Sequence, residues 1–211
     1  MSAKRNIYLL RFLLSFVIAT AIFTSIFLVS YSISYFNYQS ISSQNNIIEE
    51  YLKELELFLN STECNNSLFF NASERLDIVG YRISILEERI GKKDFRVLEI
   101  KKLYSELEFK HFNIVKKLNS RCQTNFTNIL FFYSNLEPYD KASEKVGFIL
   151  STFKKNNQEK VMIYSFDFNL KSNLTSYLLS NYNISKIPVI VVNERDTLSP
   201  TNIQELQTYV K

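Results

Sequence analysis

Between Phe12 and Phe36 the chain reads FLLSFVIATAIFTSIFLVSYSISYF, 25 residues without one charged side chain. As a helix this run would extend roughly 37 Å, more than the roughly 30 Å of hydrocarbon in a bilayer. One element is therefore predicted to lie in lipid rather than in a protein core. Lys4, Arg5 and Arg11 are the only charged residues before Glu49, and all precede the run. Tyr31, Tyr35 and Tyr38 cluster toward its other end, where aromatic rings favour the membrane interface. The positive-inside rule then makes residues 1–11 a cytoplasmic tail and 12–38 a single-pass anchor in the cell membrane, with everything beyond outside. A cleaved signal peptide is the rival reading, because Ala19-Thr20-Ala21 resembles a cleavage site. The apolar run continues well past that point, which favours the anchor. Either way the rest of the chain is exported.

Several features suit an outside location. Six Asn-x-Ser/Thr sequons begin at Asn60, Asn65, Asn71, Asn125, Asn173 and Asn183, none of them before the anchor. Both cysteines, Cys64 and Cys122, fall outside as well, in a compartment that permits disulfides. Setting aside the 3 N-terminal cations leaves 22 basic residues of the 25, against 21 acidic ones. That near-balance argues against nucleic acid as a partner, which needs clustered phosphate-neutralising charge. Only 3 glycines occur, well separated, so no glycine-rich phosphate loop is available. A single histidine, His111, argues against histidine-rich metal or catalytic sites. No cofactor and no metal are expected.

The middle of the chain is helical in pattern. Ile48, Tyr51, Leu52, Leu55 and Leu59 mark an amphipathic stalk that continues from the anchor or soon follows it. Leu76, Val79, Ile83, Leu86 and Ile90 then repeat at spacings of three and four, and the count continues through Val97, Ile100, Tyr104, Leu107, His111, Ile114 and Leu118. His111 is expected at the edge of this seam as a packing residue. Gly91 suits a helix C-cap and Asp94 an N-cap, which predicts a hairpin of helices 74–90 and 94–118. A hairpin brings Cys64 and Cys122 to one end, where a disulfide would stabilise the fold by about 4 kcal/mol in the chain-entropy model. The competing arrangement is a continuous rod forming an in-register coiled-coil homodimer, since the seam keeps its phase through the glycine.

After Cys122 the pattern changes to alternating strands and helices. Ile129–Tyr133, Val161–Tyr164 and Val189–Val192 read as strands, with a short edge strand near Arg195–Leu198. Residues 138–155, Leu174–Leu179 and a segment after Pro200 read as helices. The alternation predicts an α/β sheet with a parallel first half. The domain plan is thus tail 1–11, anchor 12–38, helical stalk and hairpin 39–123, and an α/β domain 124–211.

That element order, an Ile187-Pro188 just before the third strand and a turn after the first strand resemble the thioredoxin-like fold over roughly residues 126–211. Members of that superfamily carry Cys-x-x-Cys at the start of the first helix, facing a cis proline. Here Glu137 and Asp140 stand at the two cysteine positions, with Pro138 and Tyr139 between, where glutaredoxins have Cys-Pro-Tyr-Cys. The resemblance implies a redox-inactive member, because disulfide exchange needs a thiolate and a carboxylate cannot replace it. It also implies that Tyr139, Ile187 and Pro188 line a groove where an extended peptide pairs with the backbone. Glu-Pro-Tyr-Asp has a local reading too: proline favours the first helical position, and acids suit a helix N-terminus. For function, the expectation is a membrane-anchored scaffold that binds a protein or peptide partner without redox chemistry. The alternative is a diverged thiol-disulfide oxidoreductase or isomerase using Cys64 and Cys122.

Overall fold

A computed structural model describes residues 2–60, 64, 67–157 and 160–210. Helix α1 (Ser2–Asn60) is continuous over 59 residues. Two compact units divide the chain, Met1–Ser40 and Ile41–Lys211. In the first unit every side chain from Phe12 to Ile33 is exposed, and the helix is long and apolar enough to cross a membrane. An apolar surface of this kind suits a lipid solvent.

The second unit begins with the remainder of α1, whose Ile41, Ile48 and Leu52 are buried. Helices α2 (Ser67–Ile90) and α3 (Phe95–Arg121) form the expected hairpin. Gly91 ends α2 at φ +98°, a left-handed conformation that glycine adopts without steric cost. Asp94 caps α3 by accepting from the Arg96 amide at 2.9 Å. The rod required for an in-register coiled coil is thus interrupted at 91–94. Antiparallel pairing shows in the cross-links: Tyr104 donates to the Leu76 carbonyl at 3.2 Å, and Lys101 meets Glu87 at 2.8 Å. At the open end Cys64 and Cys122 are joined, with 2.04 Å between sulfurs.

Four strands follow: β1 (Thr127–Tyr133), β2 (Val161–Asp167), β3 (Val189–Val192) and β4 (Asp196–Leu198). Their order is β2-β1-β3-β4, with β1 parallel to β2 and antiparallel to β3, and β3 antiparallel to β4. Helices α4 (Asp140–Asn156), α5 (Asn173–Asn181) and α6 (Gln204–Gln207) complete this mixed α/β region. On one face Ile129, Phe131 and Ile190 pack with Val146, Leu150 and Phe153 of α4 and Leu206 of α6. On the other, Phe132 and Phe166 pair with ring centroids 5.8 Å apart, and Tyr164 meets Phe112 of α3 edge-on. The two-residue period of β1 and β2 divides their side chains between these layers.

Candidate functional site at the carboxyl edge of the sheet

Strand direction decides which residues meet. β1 ends at Tyr133, and the chain turns through 134–139 into α4. β3 runs the opposite way with Val189 opposite Phe132, so Pro188 falls beside the same end of β1. Glu137, Pro138, Tyr139 and Asp140 therefore share one edge of the sheet with Ile187 and Pro188. The Glu137–Pro138 and Ile187–Pro188 peptide bonds are both cis. Tyr139 is 48 % exposed, Glu137 is exposed, and Ile187 and Pro188 are half-buried. The Pro188 carbonyl accepts from the Ser199 hydroxyl at 2.6 Å.

Helix α4 starts at Asp140 with Tyr139 as its N-cap, so Pro138 lies in the preceding turn and not at the first helical position. Tyr139 spends its amide on the Leu136 carbonyl, closing that turn, and its own carbonyl accepts the helix bond from Ser143. Asp140 does sit in the first helical turn.

A polar network fixes this edge from below. The Ser134 hydroxyl donates to Asn169 at 2.5 Å and accepts from the Leu136 amide at 3.0 Å, while the Ser134 amide donates to the Ser143 hydroxyl at 3.0 Å. Next door, Lys101 of α3 is only 5 % exposed and bonds both Glu87 of α2 at 2.8 Å and Asp167 at the end of β2 at 2.5 Å. Asn135 of the turn donates to both Glu87 oxygens, at 3.0 and 3.2 Å. Burial alone would drive the Lys101 proton off, but Tyr133, Asp167 and Glu87 together outweigh it, and its pKa lies above the ordinary value. The Tyr133 hydroxyl is raised, by burial first. The hairpin thus holds the turn through a charged triad in which Lys101 and Asp167 are buried and Glu87 is half-buried.

Both sulfurs lie elsewhere. Cys122 precedes β1, whereas the turn follows it, and seven strand residues put about 20 Å between the two ends. Among the described residues no group of three or more His, Cys, Asp or Glu is gathered as a metal site.

Sequence reasoning missed the residues that tie the hairpin to the sheet. Lys101, Ser105, Glu108, Phe112 and Val115 form a second buried row on α3, at spacings of four, three, four and three beside the apolar seam. Its polar members disguise it, but the spacing itself is the signal that reveals it. His111 also differs from expectation. Rather than sitting at the seam's edge, it is 1 % exposed and bonds Ser73 and Tyr164, each at 2.9 Å. Burial, with Lys154 adding to it, holds its pKa down to about 3. The exposed sequon asparagines are Asn60, Asn71, Asn125, Asn173 and Asn183, while Asn65 lies outside the described residues.

Compared with known protein families, curated proteins and solved structures, the chain matches none.

Proposed function

We propose that this chain is a membrane-anchored binding module facing the outside, whose residues 124–211 form a thioredoxin-like domain without reactive thiols. The observation that carries the reading is the convergence of the 134–140 turn and Pro188 at one end of β1, with the only disulfide at the other. The strand order β2-β1-β3-β4, parallel then antiparallel, supports the same family reading. Carboxylates at 137 and 140 cannot attack sulfur, so the edge holds a partner instead of exchanging electrons with it. An extended peptide is the partner this edge suits, laid against Ile187–Pro188 with Tyr139 as an exposed aromatic anchor. Helix α1 supplies the tether, and the cations before Phe12 set its N-terminus in the cytoplasm.

Binding of a fluorescent unfolded polypeptide to the full-length protein in nanodiscs tests this. A photo-reactive side chain at position 139 is expected to cross-link to it, and one at the equally exposed Tyr177 is not. Tyr139→Ala should weaken binding about tenfold, as truncation of an aromatic anchor does. Equal cross-linking from both positions would remove the edge from consideration.

A further inference from the structure

A second site, independent of the turn, lies where α2, α3 and α4 surround the outer edge of β2. The cavity has a volume of about 820 Å³, within the range of small-molecule sites. Phe70, Tyr81, Tyr104 and Phe131 contribute aromatic walls. Asp77 of α2 and Lys154 of α4 bridge across it, with oxygens 2.5 and 2.6 Å from the ammonium. A Cβ on Gly80 would stand 2.7 Å from the Tyr104 hydroxyl, so only glycine lets α2 approach α3 this closely here.

Glu108 is the unusual member. It is 3 % exposed, and its Oε1 accepts from the Ser165 amide at 3.0 Å, covering the outward edge of β2. Its Oε2 is buried with no hydrogen-bond partner among the described residues. Tyr104 stands beside it with its hydroxyl proton directed to the Leu76 carbonyl. A buried carboxyl oxygen without a donor costs free energy that a ligand donor would recover.

We propose that this cavity binds a small organic cation, an ammonium group on an aromatic or aliphatic body, with Glu108 as its counter-ion. Lys154 is committed to Asp77, which leaves Glu74 and Glu108 against Lys155 among the lining charges. Once Glu108 ionises, that balance favours a cation and disfavours an anion. Aromatic faces attract ammonium groups through their quadrupoles, and an ammonium supplies the donor that Oε2 lacks. A purely apolar ligand would leave Oε2 unpaired. Burial pushes the Glu108 carboxyl up to about 8. The Ser165 amide, Lys154 and the neighbouring Tyr104 hydroxyl oppose that shift, and Asp77 adds to it. Cation binding near pH 7 therefore expels the Glu108 proton to solvent as the ion pair forms.

Calorimetry on the full-length protein in phosphatidylcholine nanodiscs, blanked against empty discs, tests this with phenethylamine, phenethyl alcohol and phenylacetate. The amine should bind at least about tenfold tighter than the alcohol, and phenylacetate should not bind. Titration in two buffers of different ionisation heat should show close to one proton released per amine, as linkage requires. Glu108→Gln should cut amine affinity about tenfold or more and leave the alcohol unchanged. Ser151→Phe, a substitution at an exposed lining position that does not alter Glu108, should block both and serves if the glutamine variant does not fold. Equal affinity for amine and alcohol, or no saturation by the amine at about 10 mM, overturns the proposal.

Discussion

Acidic side chains occupy two regions of this protein in opposite surroundings. Glu137 and Asp140 stand at the rim of the sheet, one exposed and one half-buried in the first turn of α4. Glu87, Glu108 and Asp167 lie in the seam between hairpin and sheet, each tied to an amide or an ammonium. The functional group is the same, and the solvent decides what it does. At the rim a carboxylate is hydrated and adds charge to a surface. In the seam it must be paired or protonated, and its partners then fix how the hairpin meets the sheet.

The sharpest way to break this contrast is to remove the seam's cation. Lys101→Ala leaves the buried Asp167 and the half-buried Glu87 without their ammonium and should cost roughly 3–5 kcal/mol in urea unfolding. A loss under about 1 kcal/mol would mean that water reaches the triad and that it does not organise the interface. The disulfide offers a comparison at the far end of β1. Replacing Cys64 and Cys122 by serine releases a 58-residue separation and should cost about 4 kcal/mol, read in the same assay.

A pH series separates the two buried titrating groups. Glu108, pushed up to about 8 by burial against an ordinary 4.5, keeps a proton in the folded chain that the unfolded chain has released. Its contribution to stability therefore falls as pH rises from about 4.5 through 8. His111, held down to about 3 by burial against an ordinary 6.5, is neutral when folded and charged when unfolded in acid. Its contribution falls as pH drops from about 6.5 toward 3. The two oppose each other between these limits, so stability should peak within about pH 4.5–6.5. Glu108→Gln should remove a loss of about 2 kcal/mol between pH 6.5 and 8, seen by thermal unfolding. At the rim the effects are smallest. Glu137→Gln should change stability by less than about 0.5 kcal/mol, and Asp140→Asn by about 0.3–1 through the helix terminus.

What could be read in advance follows the same division. Periodicity found the helices because the seam from Leu76 to Leu118 is apolar, and Gly91 with Asp94 marked its break for stated stereochemical reasons. The three inner strands announced themselves through the apolar runs Ile129–Tyr133, Val161–Tyr164 and Val189–Val192, whereas β4, Asp196–Leu198, carries no such run. Lys101 and Glu108 escaped because polar residues at buried positions erase a hydrophobic pattern, and only tertiary partners such as Asp167 and the Ser165 amide account for them. The α4 start was misplaced by two residues at Pro138, since the Leu136–Tyr139 turn consumes that segment before the helix begins.

The proposed binding role rests on the carboxyl edge of the sheet being a thioredoxin-type site that lacks only its sulfurs. Insulin reduction by the full-length protein, wild type beside Glu137→Cys/Asp140→Cys, tests it most directly. No turnover above background is expected for the wild type, and catalysed reduction once both thiols are installed. Turnover by the wild type that disappears in Cys64→Ser, or a double variant that stays inert with both thiols free, would contradict it.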